Sequence, residues 1–213
     1  MIQKFILAAI LASLTLPASA TVLDGEIIRQ NGNGKFVKLD PTKAFSVGND
    51  NFDTPNLYAF DEDQNILLEK PIKVDFGGTD GVIPADTVVA SHYVFFDSLN
   101  GIHVGYVDFD APVLGVAAYQ DTMAATDFLA NTAVTYISTE LRGLEQGEVV
   151  WIDEDDPFRL WVYWAGSSPG DYVRVFTEKS VGALSSLPPE KRRSNGHSHL
   201  VKLTASSVPA VVD

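Results

Sequence analysis

The amino-acid sequence predicts an all-β protein, an antiparallel two-sheet sandwich or jelly roll with one short helix. Short runs of β-branched and aromatic residues recur along the chain, separated by clusters of glycine, proline, asparagine and aspartate, which is the pattern of strands and turns. No series of regular helices alternates with these runs, so a parallel βαβ sheet is disfavoured. With 213 residues, 46% of them hydrophobic, the chain is long enough to bury one core between such sheets.

The individual elements follow from the same pattern. Strands are predicted over residues 56–60, 66–68, 72–76, 88–96, 102–109, 113–119, 134–138, 148–152, 158–165 and 172–178. Asn100-Gly101 is typical of a tight hairpin turn, and Ser168-Pro169-Gly170 predicts a second hairpin. One helix is predicted over residues 123–130, with Asp121 as its N-cap, because this stretch is rich in helix-forming residues.

The first twenty residues have the organisation of a secretory signal peptide. Lys4 supplies a positive charge, residues 5–16 are mostly apolar, Pro17 follows, and Ala18-Ser19-Ala20 has the small-x-small form of a cleavage site. The apolar run is shorter than the roughly 20 residues that a bilayer core requires. We therefore expect cleavage before Thr21, a secreted or cell-surface protein, and no stable membrane span afterwards.

Composition divides the chain into four segments. Residues 1–20 form the signal peptide, and residues 21–53, which have little clean periodicity, form either an N-terminal arm or an edge strand. Residues 54–186 contain the predicted β-sandwich domain. Residues 187–213 begin with a Pro-rich and charged linker and end in a short apolar tail.

Residues 56–177 contain motifs that resemble a group of exported bacterial proteins. The motifs are Phe60-Asp61-Glu62-Asp63-Gln64-Asn65, Ser91-His92-Tyr93-Val94-Phe95-Phe96-Asp97, Val107-Asp108-Phe109-Asp110-Ala111-Pro112-Val113-Leu114-Gly115, Ala124-Ala125-Thr126-Asp127, Tyr136, Arg142-Gly143-Leu144-Glu145 and Ser168-Pro169-Gly170-Asp171-Tyr172-Val173-Arg174-Val175. They are similar to the ectodomain of proteins that often carry a PEP-CTERM-type sorting tail. The resemblance implies secretion and a β-sandwich-like module, and it implies no activity. Such tails have a Val-Pro-Glu-Pro-like motif, of which Val208-Pro209-Ala210 is at most a remnant. We therefore expect either a member that is released freely or a sequence that has lost its tail.

Net charge and the missing cysteines limit the function classes. The chain has 15 Lys and Arg against 28 Asp and Glu, a formal net charge of −13. Binding to nucleic acids or anionic membranes depends on clustered Lys and Arg, so neither is expected as a partner. Without cysteine the chain has no disulfide, no thiolate metal site and no cysteine nucleophile.

Two acidic clusters are predicted to bind calcium, because exported acidic proteins offer the oxygen ligands that Ca²⁺ requires. In the first cluster, Asp61, Asp63 and Asn65 alternate as at the start of a calcium loop. It is not an EF-hand, since Ile66 stands where that loop needs glycine and Ile72 where it needs glutamate.

The second cluster consists of Asp153, Asp155 and Asp156, in a run of four acids before Pro157. Carboxylates this close repel one another unless a cation or solvent relieves the repulsion. The alternative to calcium at either site is a solvated loop that blunts a sheet edge.

The predicted strand 158–165 suggests a ligand-binding surface. Because side chains alternate along a strand, one face carries Leu160, Val162 and Trp164, and the other carries Arg159, Trp161 and Tyr163. One face must be core, and Trp161 and Tyr163 on the other are large and partly polar, as sugar-stacking side chains are. Tyr172 and Arg174 are expected to extend this face from a paired strand. The alternative is a strand buried on both faces.

Three functions remain open at this point. The favoured hypothesis is an exported module that binds an extracellular glycan or matrix component, with loops stiffened by calcium. A second is a glycosidase-like hydrolase using Asp108, Asp110 and His92, which requires these side chains to converge in one cleft. A third is a structural role in a surface layer or biofilm matrix. The pattern G-x-S-x-G at residues 166–170 lacks the helix that a hydrolase nucleophile needs.

Overall fold

Strands and turns account for most of the protein. The structure, a computed structural model, describes residues 20–30, 32–48, 51–97, 101–165 and 169–179. The strands are β1 (Val22–Gln30), β2 (Phe36–Lys38), β3 (Phe45–Val47), β4 (Leu57–Asp61), β5 (Ile66–Leu67), β6 (Ile72–Lys73), β7 (Phe76–Gly77), β8 (Val82–Ile83), β9 (Val88–Phe96), β10 (His103–Phe109), β11 (Val113–Ala117), β12 (Val134–Tyr136), β13 (Val149–Ile152), β14 (Arg159–Trp164) and β15 (Asp171–Glu178). The helical parts are α1 (Gln120–Ala125) and two 3-10 turns, Asp127–Leu129 and Thr139–Leu141. The predicted all-β class is confirmed.

Two sheets form the sandwich. The smaller sheet has the order β1-β10-β14-β13 and is antiparallel throughout. The larger sheet has the order β2-β4-β9-β15-β11-β7, and β5 also pairs with β9. The central strands of the larger sheet, β9 and β15, pair antiparallel from Glu178 opposite Val89 to Asp171 opposite Phe96.

The space between the two sheets is filled by one hydrophobic core. The smaller sheet contributes Val107, Phe109, Leu160, Val162 and Trp164, and the larger sheet contributes Leu57, Ala59, Val94, Phe96, Val173 and Val175. These residues lie two apart along their strands, so each strand turns every second side chain inward. The alternation predicted for residues 158–165 is therefore correct in its buried half.

A second core covers the opposite face of the larger sheet. It contains Tyr58, Phe60, Tyr93, Phe95, Tyr172 and Phe176 from the sheet, packed against Met123, Leu129, Val47, Val134, Ile72 and Ile83. The helix and the short strand pairs β3-β12 and β6-β8 thus form a third layer. As a result β9 and β15 are buried on both faces, and burial does not alternate along either strand.

Both predicted hairpins are wrong. Strand β9 lies in the larger sheet and β10 in the smaller one. Likewise, β14 lies in the smaller sheet and β15 in the larger one. The strands on either side of Asn100-Gly101 and of Ser168-Pro169-Gly170 therefore do not pair with each other, and Asn100 and Ser168 themselves lie outside the described residues. Turn-forming residues indicate where a strand ends, but they do not determine which strand pairs with it. Pairing depends on which faces of the strands must be buried.

The helix begins earlier than predicted and is shorter. It starts at Gln120 after the N-cap Tyr119, and a 3-10 turn replaces its predicted second half. Asp121 lies in the first turn, and Asp75 from another part of the chain accepts hydrogen bonds from the backbone N–H groups of Ala118 (2.7 Å) and Tyr119 (3.0 Å). Asp121 is therefore not the N-cap, and a carboxylate from a distant part of the chain binds the backbone just before the helix.

Three strands of the fold lie within the segment 21–53. Strand β1 is the edge of the smaller sheet, β2 pairs with β4, and β3 pairs with β12. Apart from Ala20, the predicted signal peptide lies outside the described residues, as do the predicted linker and tail at 187–213. Among the residues that are described, no helix has the length and hydropathy needed to cross a bilayer.

The backbone of Gly105 on β10 lies close to the backbone of the edge strand β1. Replacing Gly105 by alanine is therefore expected to weaken the pairing of these two strands. A Cβ atom at Gly105 would lie 2.4 Å from the backbone oxygen of Glu26 on β1. We expect a loss of about 2 kcal/mol in the free energy of unfolding, because the two strands must separate. Thermal and urea denaturation measure it, with Val104→Ala on the outward face of the same strand as the control. Equal stability of the two variants would contradict this packing.

Candidate binding surface

The outer face of the smaller sheet carries partly exposed aromatic side chains. Leu160, Val162 and Trp164 are buried in the sandwich core, whereas Arg159, Trp161 and Tyr163 on the same strand are partly exposed. On the edge strand β13, Trp151 is 42% exposed. The face singled out from the sequence is therefore accessible to solvent.

Three of these aromatic residues stand in one row across neighbouring strands. Tyr106 on β10 is paired with Trp161 on β14, which is paired with Trp151 on β13. The Tyr106 and Trp161 ring centroids are 5.2 Å apart, and those of Trp161 and Trp151 are 5.8 Å apart with parallel planes. We call Tyr106, Trp161 and Trp151 the aromatic ladder. Sequence reasoning missed Tyr106 and Trp151 because their membership depends on the strand register.

Charged side chains hold the aromatic ladder in place on one side. The Arg159 guanidinium lies 3.7 Å from the centre of the Tyr106 ring and donates two hydrogen bonds to Asp108, at 2.6 and 2.8 Å. Tyr106 donates its phenol hydrogen to Glu26 on β1 at 2.9 Å. A bidentate guanidinium pair of this kind fixes the orientation of Arg159.

The acidic loop after β13 fixes the Trp161 indole. Asp153 accepts the indole N–H of Trp161 at 2.8 Å through one oxygen, and the backbone N–H groups of Asp155 and Asp156 through the other. Burial alone raises the pKa of Asp153, but these hydrogen bonds outweigh it and lower the pKa below its ordinary value. The carboxylate is thus charged at neutral pH and orients Trp161.

Tyr172 and Arg174 do not extend this surface, so their predicted placement is wrong. Both lie on β15 in the larger sheet, and both are fully buried. Their strand pairs with β9 and β11, whereas β14 pairs with β10 and β13. The sequence order of β14 and β15 suggested a pairing that the exchange between sheets prevents.

Arg174 instead belongs to a charge network under the third layer, which we define as Glu62, Asp127, Arg142 and Arg174. Arg174 forms two hydrogen bonds to Glu62, at 2.7 and 3.0 Å, and a third to Asp127 at 3.1 Å. Arg142 donates to the same Asp127 oxygen at 2.6 Å. Burial lowers the pKa of Arg174, but the Glu62 carboxylate outweighs this and keeps the guanidinium charged.

Asp61, the first residue of the first predicted calcium cluster, is bound by donor groups of the protein itself. The Asp61 carboxylate contacts Lys38 (2.9 Å), the His92 ring (2.8 Å), the Thr21 hydroxyl (2.7 Å) and the Val22 N–H (2.7 Å). Although burial raises the pKa of Asp61, hydrogen bonding to His92 and the His92 charge hold it well below its ordinary value. The Asp61 oxygens therefore connect the start of β1 to β2 and β9.

The other candidate calcium ligands are spread along turns. Asp63 accepts the backbone N–H of Gln64 at 2.8 Å, and Asn65 adopts a left-handed backbone (φ 58°) that asparagine tolerates in a turn. Asp155 and Asp156 donate their N–H groups to Asp153. Within the described residues, no group of three or more His, Asp or Glu side chains is arranged to hold a metal ion. Calcium binding stays a prediction.

Asp108 and His92 of the hydrolase hypothesis do not converge in one cleft, and Asp110 accepts the backbone N–H of Thr21 at 2.7 Å. Asp108 is paired with Arg159 on the outer surface, while His92 is fully buried in the larger sheet between Asp61 and the Thr177 hydroxyl (3.0 Å). His103 lies in the smaller sheet and contacts the Pro55 carbonyl oxygen at 2.7 Å.

The Thr177–His92–Asp61 line has the order of a catalytic triad, but His92 and Thr177 are both inaccessible to a substrate. Ser168 of the G-x-S-x-G pattern lies outside the described residues.

The sequence did not indicate a buried pair of acids near the start of β15. Asp171 and Glu148 are both buried, and Glu148 accepts backbone N–H groups from Glu145 (2.7 Å) and Ala165 (3.2 Å). Burial, followed by a hydrogen bond with Glu148 and the charges of Glu148 and Glu145, raises the pKa of Asp171 to about 10. Asp171 is thus protonated at neutral pH.

No family model, curated protein or solved structure matches the chain. The outer surface of the smaller sheet is the main evidence on function.

Proposed function

We propose that the protein is an exported β-sandwich module that binds a carbohydrate chain, an extracellular glycan or matrix component, on the aromatic ladder. The observation that carries this proposal is the row of Tyr106, Trp161 and Trp151 on one face, partly open to solvent. Exposed apolar surface that is contiguous rather than scattered is typical of interaction sites.

The chemistry of the aromatic ladder suits a sugar. A pyranose ring has an apolar C–H face that packs on an aromatic ring, and hydroxyl groups at its edge that need hydrogen-bond partners. The ladder provides the aromatic rings, and Glu26, Arg159 and Asp153 provide donors and acceptors beside them. Since these side chains are already hydrogen-bonded within the protein, little ordering entropy is lost on binding.

Charge favours a neutral glycan over a polyanionic one. The chain carries a net charge of −13, and Asp24, Glu26, Asp108 and Asp153 lie on or beside the face that carries the ladder. A phosphate- or sulfate-rich chain would be repelled at long range. A neutral polysaccharide meets no such repulsion.

Replacing Trp161 or Trp151 by alanine is expected to weaken glycan binding by about tenfold or more, as loss of a central tryptophan does at other interfaces. Binding of the exported protein to a panel of neutral polysaccharides and oligosaccharides gives the measurement. Tryptophan fluorescence gives a second one, because Trp151 and Trp161 are accessible while Trp164, the third tryptophan of the chain, is buried.

Phe128→Ala is the matched control, since Phe128 is 60% exposed and lies in the 3-10 turn of the third layer, away from the smaller sheet. It should leave glycan binding unchanged. The proposal fails if the wild-type protein binds no member of the panel, or if Phe128→Ala weakens binding as much as the tryptophan variants.

A further inference from the structure

The predicted cleavage point, between Ala20 and Thr21, lies next to packed residues of the fold. Ala20 is fully buried and packs with Ala90 and Ala111 in a small cluster of alanines. The next residue, Thr21, is only partly buried and directly precedes the edge strand β1 of the smaller sheet. Cleavage between them would therefore create the new chain end next to packed structure rather than on a loose arm.

The backbone nitrogen of Thr21 already points at a carboxylate. Thr21 donates its N–H to Asp110 at 2.7 Å, and Asp110 returns a backbone hydrogen bond to the Thr21 carbonyl oxygen at 3.0 Å. The Thr21 hydroxyl donates to Asp61 at 2.7 Å. Lys38 contacts both the Thr21 hydroxyl and Asp61. Two carboxylates, Asp61 and Asp110, thus meet at this residue with one lysine.

We infer that removal of residues 1–20 completes this cluster, because the α-ammonium group of Thr21 becomes the ionic partner of Asp110. In the uncleaved chain, the same nitrogen is a neutral amide. After cleavage, it bears a positive charge at the same position. A hydrogen bond between charged partners contributes more than a neutral one, so the processed chain is locked into the sandwich at its first residue.

This ion pair gives processing a consequence for the folded state. Before cleavage, the edge strand β1 is held by ordinary strand pairing and by Asp61. After cleavage, it is also held by its own terminal charge. The inference rests on cleavage after Ala20 and is independent of glycan binding.

The test moves the terminal charge by one residue while leaving Asp110 in place. An asparagine inserted between Ala20 and Thr21 gives a mature chain that is one residue longer, because asparagine is too large for the position before the cut. The α-ammonium group is then displaced by about 3.8 Å along the chain, and Thr21 keeps an amide N–H. Both forms are exported with their leader, and mass spectrometry identifies the N-terminus of each.

The expected result is a difference in the effect of Asp110→Asn. In the chain that begins at Thr21, this substitution should reduce the folding equilibrium constant about tenfold more than in the extended chain, the difference between charged and neutral hydrogen bonds. If Asp110→Asn does not accumulate, Asp110→Glu is compared in the same two chains and should show the same direction. Asp155→Asn, at an exposed carboxylate, is the control and should behave alike in both.

Two results would overturn the inference. One is an exported protein whose N-terminus is not Thr21. The other is an Asp110 substitution that destabilises both chains equally, which would mean that the carboxylate serves only the backbone N–H.

Discussion

Replacement of Arg174 by methionine is expected to lower the free energy of unfolding by about 3–5 kcal/mol, the usual cost of leaving a buried charge unpaired. The side chains of Arg174 and Glu62 are both fully buried and share two hydrogen bonds. Without Arg174, the donors left to the Glu62 carboxylate among the described residues are neutral, the hydroxyls of Ser91 (2.6 Å) and Tyr136 (2.7 Å). Urea denaturation measures the change.

A second substitution distinguishes the unpaired charge from the lost volume of Arg174. Glu62→Gln added to Arg174→Met removes the unpaired charge. The amide oxygen still accepts from one of the Ser91 and Tyr136 hydroxyls, and the amide NH2 group donates to the oxygen of the other. The double variant should therefore recover at least half of the lost stability. Arg159→Met, which breaks the partly exposed pair with Asp108, should cost only about 1 kcal/mol. An effect of Arg174→Met no larger than that of Arg159→Met would refute the structural role of the network.

The stability of the wild-type protein is expected to fall as pH rises above about 4, and Asp171→Asn should remove much of this dependence. Burial and Glu148 raise the pKa of Asp171 to about 10. The folded protein therefore keeps a proton that the unfolded chain releases near pH 4. Since the folded state binds more protons between these values, the free energy of unfolding decreases with pH across that range.

A difference of one pKa unit between the folded and unfolded states corresponds to about 1.4 kcal/mol in the free energy of unfolding. Between pH 5 and pH 8, the wild type should lose up to about 4 kcal/mol relative to Asp171→Asn. The variant should be the more stable protein at pH 8, because its amide is neutral at every pH. Urea denaturation at a series of pH values tests this, with Asp155→Asn as control. Parallel curves for Asp171→Asn and the wild type would show that Asp171 is ionised in the folded protein.

Local sequence pattern was sufficient to locate most strands. Strand β9 occupies the predicted residues 88–96, and β10, β13, β14 and β15 lie within one residue of their predicted bounds at each end. Strands β1, β2 and β3 were not given bounds, because residues 21–53, where an arm and an edge strand both stayed open, have polar and half-buried positions without clean alternation. Their formation depends on partners far along the chain.

The candidate surface was only partly predictable. Trp161 was identified because alternation along a single strand is a local property. Tyr106 and Trp151 join it through the register of three strands, and Tyr172 and Arg174 are removed from it because β15 belongs to the other sheet.

By itself, the sequence determined the all-β class, the order of the main strands and which side of β14 faces the core, since side-chain alternation and turn residues act over a few positions. Only the tertiary structure decided which strands pair, because sheet membership depends on burying both faces of β9 and β15. The same dependence placed Glu62 beside Arg174 and Asp110 beside Thr21, pairs separated by 112 and 89 positions in the chain. Such contacts arise from packing two sheets and a covering layer together, and no local pattern encodes them.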